Sequence, residues 1–230
     1  TQIVRGKLTN QRTFLQRYQR KSRDAALGDI IDNLQSILDK IDAVADMGSL
    51  QGLEGYVGSL YFSALKSLLK QDLGFVTRVK RPPRDPVNSL LSLGYTLLVY
   101  DAQAAVRTVG LDPFLGFLHS TEYSKPSLAL DLMEEFRTII VDSIVLRVIN
   151  NNILTREDFA QETDPRGTVR LKEAALKTFI KHYEERVATE VTHPVFNIKV
   201  TYRRCLELQA RQIARLVTDK QEKYEPFLVK

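Results

Sequence analysis

Apolar residues recur every three or four positions along most of this chain, and the pattern breaks where Gly, Pro and Asn gather. Leu27, Ile30, Ile31, Leu34, Ile37, Leu38, Ile41 and Val44 make one amphipathic helical stripe. Asp24 is its expected N-cap, and Gly48, in the break formed by Met47, Gly48 and Ser49, its expected C-terminal cap. Tyr56, Val57, Leu60, Tyr61, Ala64, Leu65 and Leu68 predict a second, core-facing helix that fades near Gly74. Gly52, Gly55 and Gly58 weaken that helix, so something is expected to approach it closely.

Pro82 and Pro83 force an extended segment. Asp85 and Pro86 then open a helix from Val87 to Val109 that is apolar almost all round and therefore central. Gly110, Pro113 and residues 116–125 read as a loop. Pro126 and Ser127 start another long apolar helix ending near Asn150. Residues 153–169 read as a linker or small hairpin, with a turn at Asp164, Pro165, Arg166 and Gly167. Leu171 to Val187 and Tyr202 to Val217 complete the helices, separated by a break at His193 and Pro194. The tail from Asp219 is polar up to Pro226. No alternating strand pattern of any length appears, so the expected class is all-α, one multi-helix bundle of roughly seven helices over residues 1–230.

Composition adds little constraint. The 230 residues are 43% hydrophobic and 27% charged, with 33 Lys and Arg against 28 Asp and Glu. The net charge of +5 permits a nucleic acid without requiring one. No apolar run reaches the roughly 20 residues of a membrane span. The single cysteine, Cys205, fits a packing role in a reducing, cytoplasmic setting. The chain opens on Thr1 rather than Met and enters a basic helical segment at once, as expected of a piece of something longer.

Charge becomes informative when placed on the helices. Arg5, Lys7, Arg12, Arg17, Arg20 and Lys21 form either a solvated face or a phosphate-contacting arm. Arg78, Lys80, Arg81 and Arg84 sit on the proline-stiffened strap before a helix N-terminus, a good place for phosphate. Arg203, Arg204 and Arg211 crowd the last helix. Glu54 lies beside the glycine clearing and needs a partner: an Arg, a cap or a metal. Asp131 and Glu134, at i and i+3, share one face of an apolar helix. They should repel and raise each other's pKa unless a cation sits between them. His119, on a Gly-flanked loop, is either a satisfied loop histidine or a ligand. Carboxylates with one imidazole suit Mg²⁺ or Mn²⁺. The structural rival is an ion pair between Glu134 and Arg137. Glu135, off that face, is expected to meet solvent or an Arg. His182 and His193 receive no role.

Four stretches, GLEG with an aromatic pair downstream, RPPRDPVNSLLSLGYTLL, GLDPFLGFLH and KPSLALDLMEEFR, together resemble the C-terminal helical domain of the CRISPR-associated adaptation endonuclease, the integrase that inserts new spacers. IVRGKLTNQRTFLQR and VTYRRCLELQARQIARLV resemble its start and end, so the likeness covers essentially the whole chain. The resemblance implies a Mg²⁺ or Mn²⁺ site of Glu54, His119 and Glu134, with Asp131 assisting. It implies a prokaryotic homodimer working with a small ferredoxin-like partner protein, on prespacer DNA whose 3′ ends are joined to a CRISPR repeat. Arg78, Arg81, Arg84 and Asn88 are then expected to hold phosphates. The family's N-terminal β-domain is not in this sequence, which fits a truncation or one part of a fusion to a reverse transcriptase or nuclease. A structure-selective DNA nuclease and a non-catalytic helical DNA-binding module are the alternatives.

Overall fold

A computed structural model describes residues 1–22, 24–44, 46–119 and 124–229. Positions 120–123 of the expected loop, the Lys21 side chain in the basic segment, and Lys230 lie outside the described residues.

The order is α1 (Gln2–Ser22), α2 (Ala25–Lys40), α3 (Met47–Ser67), α4 (Pro86–Thr108), α5 (Ser127–Met133), α6 (Ser143–Asn150), β1 (Phe159–Gln161), β2 (Val169–Leu171), α7 (Glu173–Val187), β3 (Glu190–Thr192), β4 (Lys199–Thr201) and α8 (Tyr202–Val217). The all-α expectation holds. Among the described residues the strands form two isolated antiparallel hairpins, β1 with β2 and β3 with β4. The first starts in the segment 153–169, expected to be a linker or hairpin, and runs two residues past it to Leu171.

Helix starts follow local chemistry. Asp24 accepts from the Ala26 amide at 3.0 Å and Asp85 from the Asn88 amide at 2.8 Å, with Pro86 in the first turn of α4. The break after α2 falls earlier than expected. Asp46 accepts from Ser49 N at 2.9 Å and Ser49 Oγ at 2.6 Å, so Met47 and Gly48 open α3 instead of closing α2. α3 also ends early, at Ser67. Asn150, far along the chain, accepts from Lys70 N and donates to Leu68 O, both at 2.8 Å, and so satisfies that helix end.

α4 is the central helix. Its buried side chains include Val87, Leu90, Leu91, Leu98, Ala102 and Val106, and it packs against α5, α6 and α8. Gly94 permits the closest approach: a Cβ there would fall 2.5 Å from Val141 Cγ1. Residues 138–142, between α5 and α6, form a π-helical turn, a widening often found at functional sites.

Residues 224–229 return across the bundle. Tyr224 and Phe227 are buried, and Phe227 stacks on Phe136 with centroids 4.9 Å apart. Asn10 fastens this strap. Its side chain donates to Glu135 O at 2.9 Å and Phe227 O at 2.7 Å, and accepts from Val229 N at 3.0 Å.

Candidate active site

The cleft lies where α1, α3, the end of α5 and the strap before α4 meet. Glu54, Gly55 and Gly58 of α3, Lys7 and Gln11 of α1, Arg78 and Lys80 of the strap, and Arg137 line a space of about 280 Å³. Gly52, Gly55 and Gly58 face open space, with nothing within 4 Å of a built Cβ, so no part of the described chain fills the clearing. Tyr56, expected in the core, is 52% exposed on the same helix.

Two carboxylates converge here on one cation. Lys7, only 5% exposed, places Nζ between Glu54 Oε1, with which it makes a short ion pair, and Glu134 Oε2, at 2.7 Å. Arg137 Nη1 reaches Glu134 Oε1 and Oε2 at 2.8 and 3.1 Å. The ion pair between Glu134 and Arg137, the structural rival to a metal site, is therefore present. Burial pushes the Glu134 carboxyl up, but the Arg137 and Lys7 charges outweigh it and hold it at about 2. Arg137 is itself set by a buried network. Its guanidinium lies 4.1 Å from the Tyr95 ring centroid, and Tyr95 and Tyr61 donate to Asp142 at 2.6 and 2.7 Å. Burial raises the Asp142 carboxyl despite those bonds.

Asp131 does not share a cation with Glu134. Fully buried, it accepts the amides of Phe117 (2.6 Å), Leu118 (2.9 Å) and His119 (3.0 Å), and its Oδ1 meets His119 Nδ1 at 2.6 Å. Gly116 lets the loop lie this close, since a Cβ there would be 2.7 Å from the backbone of Ser127. Gln51 ties the loop to α3 by donating to Leu118 O at 2.9 Å. Asp131 thus orients the imidazole and engages Nδ1, which leaves Nε2 as the ring nitrogen available to a ligand. His119 is 29% exposed and adds to the field that lowers Glu134.

Among the described residues no three His, Cys, Asp or Glu side chains converge closely enough to enclose a metal ion. The donor chemistry nevertheless fits a hard cation. Two carboxylates already aim at one point, with an ammonium on it, and an oriented imidazole stands nearby.

Asn88 is not at the surface. It is fully buried, donates to Thr77 O (2.9 Å) and Asp85 Oδ2 (2.6 Å), and accepts from Val79 N and Arg78 Nη1, each at 2.9 Å. It braces the strap and cannot meet a phosphate. Arg78 is half-buried and also spent on structure, with bonds to Val79 O and Ser92 Oγ. Arg81 and Arg84 are exposed. Arg203 pairs with Asp101 and Glu184, and Arg204 and Arg211 both pair with Glu207.

Glu135 corrects another expectation. It is fully buried, and its Oε2 accepts from Gln209 Nε2 at 2.9 Å and Phe227 N at 2.8 Å. Burial outweighs these bonds and pushes the carboxyl to about 8. The residue that the sequence reading passed over is Lys7. Val4, Lys7, Leu8, Gln11 and Leu15 all lie on the buried face of α1, a spacing that separates Lys7 from the exposed cations of that helix.

A family model described as CRISPR associated protein Cas1 matches residues 1–185. Over 228 residues the chain is 40% identical to the CRISPR-associated endonuclease Cas1 3 of Thermus thermophilus, a match covering 99% of this chain but 65% of the relative. It is 38% identical to a Cas4 exonuclease/Cas1 endonuclease fusion of Geobacter sulfurreducens, covering 97% of this chain and 41% of that protein. The chain therefore spans less than two thirds of the length of these relatives. A chain of a partial Cas6-RT-Cas1–Cas2 complex superposes with a TM-score of 0.87 at 30% identity, over 100% of this chain and 68% of the other. The chain belongs to the CRISPR-associated Cas1 family.

Proposed function

We propose that this chain is the catalytic helical part of a CRISPR-adaptation integrase, which joins the 3′-hydroxyl ends of a prespacer to CRISPR repeat DNA. The observation that carries the reading is the convergence of Glu54 and Glu134, from separate helices, on a single cation in the floor of a basic cleft. Glu54, Glu134 and His119 would hold Mg²⁺ or Mn²⁺, which supplies Lewis-acid charge to the scissile phosphate. Asp131 keeps His119 oriented. Lys80 adds positive charge at the cleft, and Arg81 and Arg84 hold the duplex by its phosphates without reading sequence. One phosphodiester P–O bond forms to the attacking 3′-oxygen as another breaks. The proton released by the nucleophile balances the one taken by the leaving oxygen, so no energy source is needed.

Fusion of the Geobacter relative to an exonuclease, and the Cas2-containing complex of the similar structure, support partner proteins for this chain too. A small partner and a second copy of the chain would place the two prespacer ends.

A second reading is favoured by one observation: Glu134 and Glu54 already have cationic partners, as in a non-catalytic DNA-binding module. Strand transfer onto a repeat-bearing plasmid separates the two. Glu54→Gln and His119→Ala should abolish joined product while DNA affinity stays within about twofold of wild type, since truncating transition-state contacts spares ground-state binding. Wild-type joining by either variant would overturn the assignment, and shortened rather than joined DNA would reassign it to hydrolysis.

A further inference from the structure

We propose that Lys7 is a tethered competitor of the divalent ion: its ammonium holds Glu54 and Glu134 in register while the ion is absent, and gives up its place when the ion arrives. This rests on the reading of those two acids as metal ligands.

Three observations lead to it. The first is position. Lys7 Nζ lies on the line of approach of both carboxylates, so the ammonium and a divalent ion cannot share the point. The second is charge. Glu54 and Glu134 carry two negative charges, and Lys7 and Arg137 carry two positive ones. A divalent ion added to that balance forces a cation out of the pair. Arg137 is poorly placed to leave, because it is forked onto Glu134 and stacked on Tyr95. Lys7 ends in a point charge on a flexible stem and can swing. The third is a vacant acceptor. Gln11 stands one turn further along α1, lines the same cleft, and has a buried side-chain oxygen with no hydrogen-bond partner. A buried, unpaired amide oxygen is costly, and a displaced ammonium at i−4 satisfies it.

Lysine also suits this role better than an apolar residue would. Two acids facing each other in a metal-free site repel and splay. An internal cation keeps them aimed at one point, so the ion meets a formed site. The cost is a weaker apparent affinity for the ion, by the free energy of the contact broken.

The test is Mn²⁺ binding, followed by electron paramagnetic resonance of the free ion, with thermal melting of the same samples. Lys7→Met should bind Mn²⁺ about tenfold more tightly than wild type, a common size for coupling between two sites. Its metal-free melting temperature should fall and its rise on adding Mn²⁺ should grow. Gln11→Leu should act in the opposite sense. It removes the acceptor for the displaced ammonium, so Mn²⁺ binding weakens several-fold while the metal-free protein is as stable as wild type or more so. Gln11→Leu carries the test by itself if Lys7→Met does not fold without metal. Wild-type Mn²⁺ affinity in a folded Lys7→Met or in Gln11→Leu would overturn the role of Lys7 alone. If wild type binds no Mn²⁺, or binds it undiminished after Glu54→Gln, the metal-site reading falls and the role of Lys7 falls with it.

Discussion

His119 Nδ1 lies 2.6 Å from Asp131 Oδ1, and the same carboxylate collects the amides of Phe117, Leu118 and His119. One buried acid therefore sets both the path of the loop and the orientation of its imidazole. Asp131→Asn replaces one acceptor oxygen by a donor facing amide donors. We expect a loss of about 2–4 kcal/mol in urea denaturation, the scale for breaking a buried charged hydrogen-bond cluster. Strand transfer under native conditions should fall about 10–100-fold, as for partners that orient a metal ligand. Unchanged stability and turnover together would remove Asp131 from the site.

Gly55 offers a separation of stability from function. Nothing lies within 4 Å of a Cβ built there, so Gly55→Ala should stabilise α3 by roughly 0.5–1 kcal/mol. The same methyl enters the cleft beside Glu54, where DNA would come close under the proposed function. A raised melting temperature with slower strand transfer is the expected pair of results. A faster or unaltered reaction would show that the glycine does not keep room for DNA.

The two exposed arginines of the strap report through salt. Arg81→Ser and Arg84→Ser should each weaken duplex binding for all sequences alike. Each should also reduce the slope of log affinity against log salt by about 1, as when one phosphate contact is lost. Fluorescence anisotropy across a salt series reads this directly. A slope equal to wild type in both variants would place the duplex elsewhere.

His193 predicts an acid-side weakening of the fold. The ring is fully buried between Phe196 and Phe227, and burial pushes its pKa from 6.5 to about 4. Between those values the unfolded chain takes a proton that the folded chain refuses. The His193 contribution is thus complete above pH 6.5 and is lost as pH falls towards 4, with a slope of up to about 1.4 kcal/mol per pH unit. His193→Leu removes the titration. The difference in urea stability between wild type and variant should therefore shift across that window, and a constant difference would count against a buried neutral imidazole.

Much of this was legible in the sequence where the signal is local. The Asp85 and Pro86 start of α4, the loop before Ser127 and the pairing of Glu134 with Arg137 all follow from neighbours within four residues. The errors share a different origin. Glu135 turns away from the face of Glu134, which points to solvent or an Arg, but the far side of an interior helix is also protein, here residues 224–229. The end of α3 depends on Asn150, and the burial of Asn88 depends on a strap folding over it. Lys7 was counted with a run of surface cations although its spacing with Val4, Leu8 and Gln11 marks the buried face. Local pattern reports what a side chain is and which face it takes. It does not report what arrives on that face.

The strap pinned by Asn10 has a consequence for how the protein is made. Asn10 meets Phe227 and Val229 across 217 and 219 positions, and Glu135 meets Phe227 across 92. Contacts this distant in sequence form late, after the helices between them have settled. A ribosome that has already extruded Glu54, His119 and Glu134 has therefore not yet supplied the peptide that latches the helix carrying Glu134. While it is nascent, the chain therefore lacks the peptide that packs on Glu135 and Phe136, the neighbours of Glu134, until residue 229 is free of the exit tunnel.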